Sequence, residues 1–314
     1  MSKLRTAVVG VGYLGRFHAQ KHKAVDGIEL IGVCDRDAAR SAAVAAEVGT
    51  TAYTDHRELI GKVDAVTIAA STAEHFALAQ FFLEHGVHVL VEKPVTRTSA
   101  EAATLTALAD ARGLKLQVGH VERFNPALVA ARQTLTTVRF IECHRLAPFK
   151  GRGADVNVIL DLMIHDLDVI LSLVQAEPAR VSAVGVPVLT DDVDIANARI
   201  EFANGAVANV TASRVSTSAQ RRFRVFQANQ YVSIDFGSGE VRRVTKVGEW
   251  REDAPPLQEE TWSLEKGDAL LAETKAFVAS IRDDTPCEVS GADGFAALKL
   301  AEAINAEIAC WQTR

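Results

Sequence analysis

The stretch Arg5-Thr6-Ala7-Val8-Val9-Gly10-Val11-Gly12-Tyr13-Leu14-Gly15 carries the reading of the fold. Arg5 to Val9 form a short, unalternating run rich in apolar side chains, which predicts a strand buried on both faces. The GxGxxG that follows predicts a tight turn into a helix. Gly10 permits the turn, Gly12 lets a pyrophosphate approach the backbone, and Gly15 lets the helix pack closely on the strand. A helix opening there aims unpaired N–H groups and the positive end of its dipole at that anion.

Outward from this loop, similar runs recur at Leu30 to Cys34, Ala65 to Ala70, Val87 to Val91 and Leu114 to Val118. Helical patterns lie between them, at Tyr13 to Ala24, Ala38 to Val48, Glu74 to His85 and Ser99 to Arg112. Strand and helix in alternation predict an α/β fold with a doubly wound parallel sheet over residues 1–120. After Gly119 the rhythm changes. A helical segment at Asn125 to Thr134, a strand at Val138 to Arg145 and an apolar helix from Val156 to Val174 precede alternating segments at Ala196 to Phe202, Ala206 to Ser213, Phe223 to Gln227 and Val232 to Phe236. These predict a second α/β domain, 121–314, on an open and mostly antiparallel sheet. Helices at Asp268 to Arg282 and Gly291 to Trp311 close the chain, the last expected to pack back on the first domain.

Composition agrees with this and excludes several classes. At 314 residues, 48% hydrophobic and 24% charged, the chain has room for two globular domains. A net charge of -6 disfavours a nucleic-acid partner. Cys34, Cys143, Cys287 and Cys310 form no CxxC pair, so neither zinc module nor disulfide framework is indicated, and a reducing, cytoplasmic setting is expected. No apolar run is long enough to span a membrane, and the opening residues lack a signal-peptide cleavage site.

Asp35 stands 20 residues after Gly15, at the end of the second strand. There a carboxylate can accept both hydrogen bonds of an adenosine ribose diol. It favours NAD over NADP, because it would repel a 2′-phosphate; Arg36 beside it moderates that preference. Glu92-Lys93-Pro94 ends the fifth strand, on the edge where open parallel sheets bind ligands, so Lys93 is placed beside the nicotinamide; an exposed surface lysine is the alternative. Asp161 and His165, at i and i+4 of an otherwise apolar helix, share a face. They are either a buried structural pair or the lining of a cleft. The chain would otherwise have a redox cofactor site without an acid/base group.

In these motifs, in this order and spacing, the sequence resembles the glucose-fructose oxidoreductase, inositol dehydrogenase and MocA (Gfo/Idh/MocA) family over essentially its whole length. The resemblance implies a Rossmann domain, a second domain whose open sheet often serves oligomerisation, here as homodimer or homotetramer, and a lysine and histidine at the hydride-transfer site. Lys93 and His165 are then catalytic and Asp161 a substrate-binding or orienting residue. The cofactor set becomes Gly10, Gly12, Tyr13, Leu14, Gly15, Asp35, Arg36, Ser71, His75, Glu92 and Lys93, with no metal. One departure stands out. Where many members carry Thr-Pro-Asn after the third core strand, this chain has Ser71-Thr72-Ala73, which preserves backbone contacts to a cofactor but not the side-chain contacts of Pro and Asn.

Gly12 to Lys21, Val118 to Pro126 and Leu160 to Asp166 are similar to the subgroup that oxidises the 3-hydroxyl of UDP-N-acetylglucosamine with NAD, giving a 3-keto sugar for amination in lipid A assembly. Such a substrate brings two phosphates to an acidic protein, so a locally basic cleft is required. Lys150 and Arg152, with Arg123, are the candidates; a solvated basic loop is the bland alternative. Arg221-Arg222 and Arg242-Arg243 are expected to face solvent, and Cys143 to pack inside a strand. The expected reaction has His165 take the hydroxyl proton, Lys93 stabilise the oxygen, and the hydride pass to nicotinamide C4. Another nucleotide sugar, a free sugar or cyclitol, or a non-catalytic cofactor sensor are the competing readings.

Overall fold

The computed structural model describes residues 3–149, 156–252, 255–265 and 267–313. The chain divides into two units, Met1–Val121 with Asp268–Leu298, and Glu122–Gly267 with Lys299–Arg314. In the first, β1 (Leu4–Val9), β2 (Ile28–Cys34), β3 (Thr51–Tyr53), β4 (Ala65–Ile68), β5 (His88–Glu92) and β6 (Leu116–Gly119) form one parallel sheet in the order β3-β2-β1-β4-β5-β6. The helices α1 (Tyr13–Ala24), α2 (Ala38–Val48), α3 (Thr72–Glu84) and α4 (Ser99–Arg112) alternate with the strands. Local chemistry sets their ends. The Asp37 carboxylate accepts from Arg40 N to cap α2, and Thr98 and Glu101 form a reciprocal capping box on α4. The strand order reverses between β1 and β4, and a ligand crevice opens at such a point.

The later helices are named in chain order with the second unit's elements: α5 (Pro126–Arg132), β7 (Val138–Leu146), a π-helical turn at Ile159–Met163, α6 (Ile164–Val174), β8 (Pro178–Val186), β9 (Ile195–Phe202), β10 (Val207–Ser213), β11 (Gln220–Gln227), β12 (Gln230–Asp235), β13 (Glu240–Lys246), β14 (Leu257–Ser263), α7 (Ala269–Arg282) and α8 (Gly291–Gln312). The eight strands make one sheet, β14-β13-β12-β11-β7-β10-β9-β8, antiparallel except where β10 runs parallel to β7. Alternate residues such as Ile141, Cys143, Phe223, Val225, Val232 and Ile234 face a core shared with Leu128 of α5, Met163 and Leu167, as their period of two requires. Cys143 is buried there as expected, and burial pushes its thiol well above the ordinary range.

α7 belongs to the first unit, where Phe277 is fully buried against Ala65 and Leu90, and Val278 packs on Val25 and Ile28. Such a phenylalanine contributes about 2–3 kcal/mol by leaving water. The expectation that the whole of 291–311 packs on the first domain needs correction. Gly291 and Gly294 of α8 lie against Leu116 and Val118 of β6, whereas Leu300, Ala301, Ile304 and Ile308 enter the second core. Successive turns of one apolar helix therefore serve different cores.

Candidate active site

At the crevice, Gly10 has φ +82°, and an added Cβ would lie 2.5 Å from the Ala70 backbone; at Gly15 it would lie 1.8 Å from the Gly10 carbonyl oxygen. Both positions require glycine. A Cβ at Gly12 would meet nothing within 4 Å, so the loop is open on the side a ligand approaches. Gly12 supplies no side chain to cap α1, and no acidic residue lies in the helix's first turn, leaving its positive end for an anion. Tyr13 and Leu14 are exposed at that end.

Gly10, Gly12, Asp35, Arg36, Ser71 and Glu74 line a cleft of about 310 Å³. The Asp35 carboxylate accepts from the Val11 and Asp37 backbone N–H groups at 3.0 and 2.9 Å, and Arg40 lies 3.3 Å from both of its oxygens. Arg40 lines the same cleft, a residue that the glycine and Asp35 motifs do not single out, although it stands five positions on in Asp35-Arg36-Asp37-Ala38-Ala39-Arg40. Arg36 is exposed and reaches Glu74 at 3.7 Å. Ser71 precedes α3 without capping it, so its hydroxyl is not committed to that helix. The open glycine loop, the uncapped helix end and the fixed carboxylate fit a dinucleotide, pyrophosphate on the loop and adenosine ribose at Asp35.

Two expected cofactor residues have other side-chain partners. His75 is buried, with Nδ1 2.8 Å from the Pro94 carbonyl and Nε2 3.1 Å from the Ala70 carbonyl. Burial lowers its pKa although both carbonyls oppose this. The ring ties the start of α3 to the loop after β5. Glu92 likewise turns inward: Oε1 meets His18 Nε2 at 2.7 Å, and Oε2 accepts from the Lys93 backbone N–H at 3.2 Å. Lys93 follows at the carboxyl end of β5, half-buried and joined to Pro94 by a cis bond.

In the second unit, the π-helical turn carries Asp161 and α6 carries His165, both half-buried, with His165 between buried Ile164 and Asp166. The sequence predicts an uninterrupted α-helix here. Instead the Ile164 N–H reaches back to the Ile159 carbonyl, the wider i to i+5 spacing that often marks functional sites. Arg123, expected to serve the substrate phosphates, is buried, with Nε 3.7 Å from an Asp168 oxygen. Lys150 and Arg152 lie outside the described residues. Arg221 and Arg222 are exposed, and Arg242 and Arg243 pair with Glu259 and Glu260 along the sheet.

Residues 4–120 match the model of an oxidoreductase family with an NAD-binding Rossmann fold, and residues 131–231 match the GFO/IDH/MocA C-terminal domain. The chain is 42% identical over 311 residues to UDP-N-acetylglucosamine 3-dehydrogenase of Acidithiobacillus ferrooxidans, covering 98% of this chain and 99% of that one. The chain belongs to the Gfo/Idh/MocA family. It is an NAD-dependent dehydrogenase acting on CH–OH groups. A solved structure of the Acidithiobacillus ferrooxidans enzyme superposes with a TM-score of 0.94 at 41% identity, covering all of both chains. A further Gfo/Idh/MocA relative is inositol 2-dehydrogenase of Rhizobium meliloti, 28% identical over 98% of this chain and 97% of that one. As expected for the family, the parallel sheet binds NAD and the second sheet is mostly antiparallel. Among the described residues no helix is long and apolar enough to cross a membrane.

Proposed function

We propose that this chain oxidises the 3-hydroxyl of UDP-N-acetylglucosamine to the 3-keto sugar with NAD, a product suited to amination in lipid A precursor synthesis. The full-length, 42% identical match to an enzyme of that name carries this reading. Gly10, Gly12, Gly15 and Asp35 hold the dinucleotide, which when bound accepts the hydride. His165 takes the proton of the sugar hydroxyl, and Asp161, on the preceding helical turn, orients the imidazole or the sugar. The Lys93 ammonium hydrogen-bonds the same oxygen and stabilises its developing charge. Lys150 and Arg152, with Arg123, serve the diphosphate. The face of the second sheet opposite its core, where Phe140, Phe226 and Tyr231 stack across three strands, is the proposed surface for a homodimer or homotetramer.

The test is NADH formation from NAD with UDP-N-acetylglucosamine. Lys93→Met and His165→Asn should each lower kcat by about 10²–10⁴-fold. Near-normal turnover in either variant removes that residue from the mechanism. Efficient oxidation of myo-inositol instead of the nucleotide sugar would move the substrate assignment to the cyclitols.

A further inference from the structure

Beneath Lys93 lies a buried group whose composition is unusual for the inside of a Rossmann unit. His18 of α1, Glu92 of β5 and Glu273 of α7 are all buried, and each offers a ligand-type atom within 4.8 Å of the others. Two buried carboxyl groups at that separation cannot both ionise cheaply. Their hydrogen bonds distinguish them. Glu92 is held by His18 Nε2 at 2.7 Å and by the Lys93 N–H at 3.2 Å. Neither Glu273 oxygen has a hydrogen-bond partner among the described residues, while its backbone carbonyl accepts from Gln117 Nε2 at 3.2 Å.

We propose that His18 and Glu273 are positioning residues for Lys93: His18 fixes the Glu92 carboxylate by a hydrogen bond beneath the end of β5, Glu273 lies within 4.8 Å of it as a neutral, buried neighbour that makes no hydrogen bond to it, and that carboxylate holds the Lys93 backbone. The inference rests on the reading of Lys93 as catalytic. Three features support it. Glu92 is wedged in place, since a Cβ at Gly119 would lie 2.9 Å from its carboxyl carbon. Glu273 carries the proton: burial and the nearby Glu92 push it well above the ordinary range. For Glu92, burial pushes upward, but His18, the Lys93 charge and the Lys93 N–H outweigh it and keep the carboxylate ionised. The Glu92 carboxylate therefore faces a neutral acid on one side and donors on the other. One turn along α1, burial and His18 drive His22 down to about 3, so this second imidazole stays neutral between the hydroxyls of Thr6 and Thr67.

A shared cation is the competing occupant. The 2.7 Å contact between His18 and Glu92 is a hydrogen-bond distance, whereas two donors on a tetrahedral ion with bonds of about 2.0 Å stand about 3.3 Å apart. A proton, and not a metal, fits this spacing.

The experiment has a kinetic and a spectroscopic arm, both on the full-length enzyme. Glu92→Gln should lower kcat about tenfold or more, with KM for NAD and for the sugar nucleotide within about twofold of the parent. Glu273→Leu should lower kcat similarly, and Glu273→Gln, which keeps a neutral polar group of the same shape, should recover most of that loss. Infrared spectra without substrate should show a protonated carboxyl C=O band at neutral pH that Glu273→Gln removes and Glu92→Gln leaves. Loss of affinity for NAD at unchanged kcat in Glu92→Gln would make Glu92 a cofactor-holding group and overturn the assignment. So would absence of the band, or stoichiometric metal in the purified protein. An active Lys93→Met enzyme defeats the reading of Lys93 itself. An inactive one, beside normal Glu92→Gln and Glu273→Leu enzymes, defeats this inference alone.

Discussion

In the second unit the buried Arg145 guanidinium grips both oxygens of Asp166, at 2.9 and 2.8 Å, and reaches Glu122 at 3.0 Å. In the first, Glu92 and Glu273 are buried near each other with His18, and among the described residues no arginine is paired with either. Both regions take two carboxyl groups out of water. One sets them against a fixed cation: burial opposes the Arg145 charge, but Asp166 and Glu122 together push its pKa up, while at Asp166 burial outweighs Arg145 and still raises the carboxyl. The other leaves a proton on one acid. A guanidinium keeps its charge at any working pH and suits a framework. A carboxyl pair can respond to its surroundings, and it lies at the strand end that bears Lys93.

Removing the fixed cation is the harshest way to break this contrast. Arg145→Ala strands two buried carboxylates and should destabilise the enzyme by about 3–5 kcal/mol, read as a lower urea midpoint at unchanged slope. If the loss is under about 1 kcal/mol, the acids protonate on demand and the two regions are alike. Asp194 offers a milder cut. It accepts from the Val188, Leu189 and Thr190 N–H groups and from Arg214 Nε at 2.7 Å. Burial raises its pKa, but those donors outweigh it and hold it far below the usual range. Asp194→Asn should cost about 2–3 kcal/mol at pH 7. Because the folded pKa is depressed, Asp194 contributes above its unfolded value and loses that contribution as pH falls below about 4. The gap between parent and Asp194→Asn should therefore narrow in acid.

Glu273 should show the opposite sign and the smallest effect near pH 5, where Glu273→Gln is expected within about 1 kcal/mol of the parent. With a raised folded pKa, the native state binds more protons than the unfolded chain above about pH 4.3, so its contribution falls as pH rises. Glu273→Gln should gain on the parent from pH 5 to 8 in urea titrations. A flat difference would mean that Glu273 is ionised in the native state, and the neutral acid proposed beside Glu92 would fail.

These groups also show where sequence reading reaches its limit. The glycine loop and Asp35 were legible because turn, helix end and carboxylate recur within one strand–helix–strand unit, and the Asp161/His165 pair because i, i+4 spacing survives in the sequence. The π-helical turn beneath that pair was not, since a one-residue slip in hydrogen bonding changes no side chain. β8 and β14 edge the sheet and bury few side chains, Gln258 and Glu259 being exposed, so no clean apolar alternation marks them. β3 is three residues long, below what periodicity can register. Nothing in the sequence shows that Arg123 is buried beside Asp168, and Glu273 reads as one of many helix-face acids until α7 places it by Glu92.

The first unit is discontinuous in sequence, and translation delivers its pieces far apart. When the ribosome has finished β6, the sheet surface at Ala65 and Leu90 still waits for Phe277, and Glu92 for its neutral partner. The second unit must emerge before either arrives. The nascent dinucleotide fold therefore spends the synthesis of about half the chain with an apolar face bare, an interval in which holding chaperones would find it.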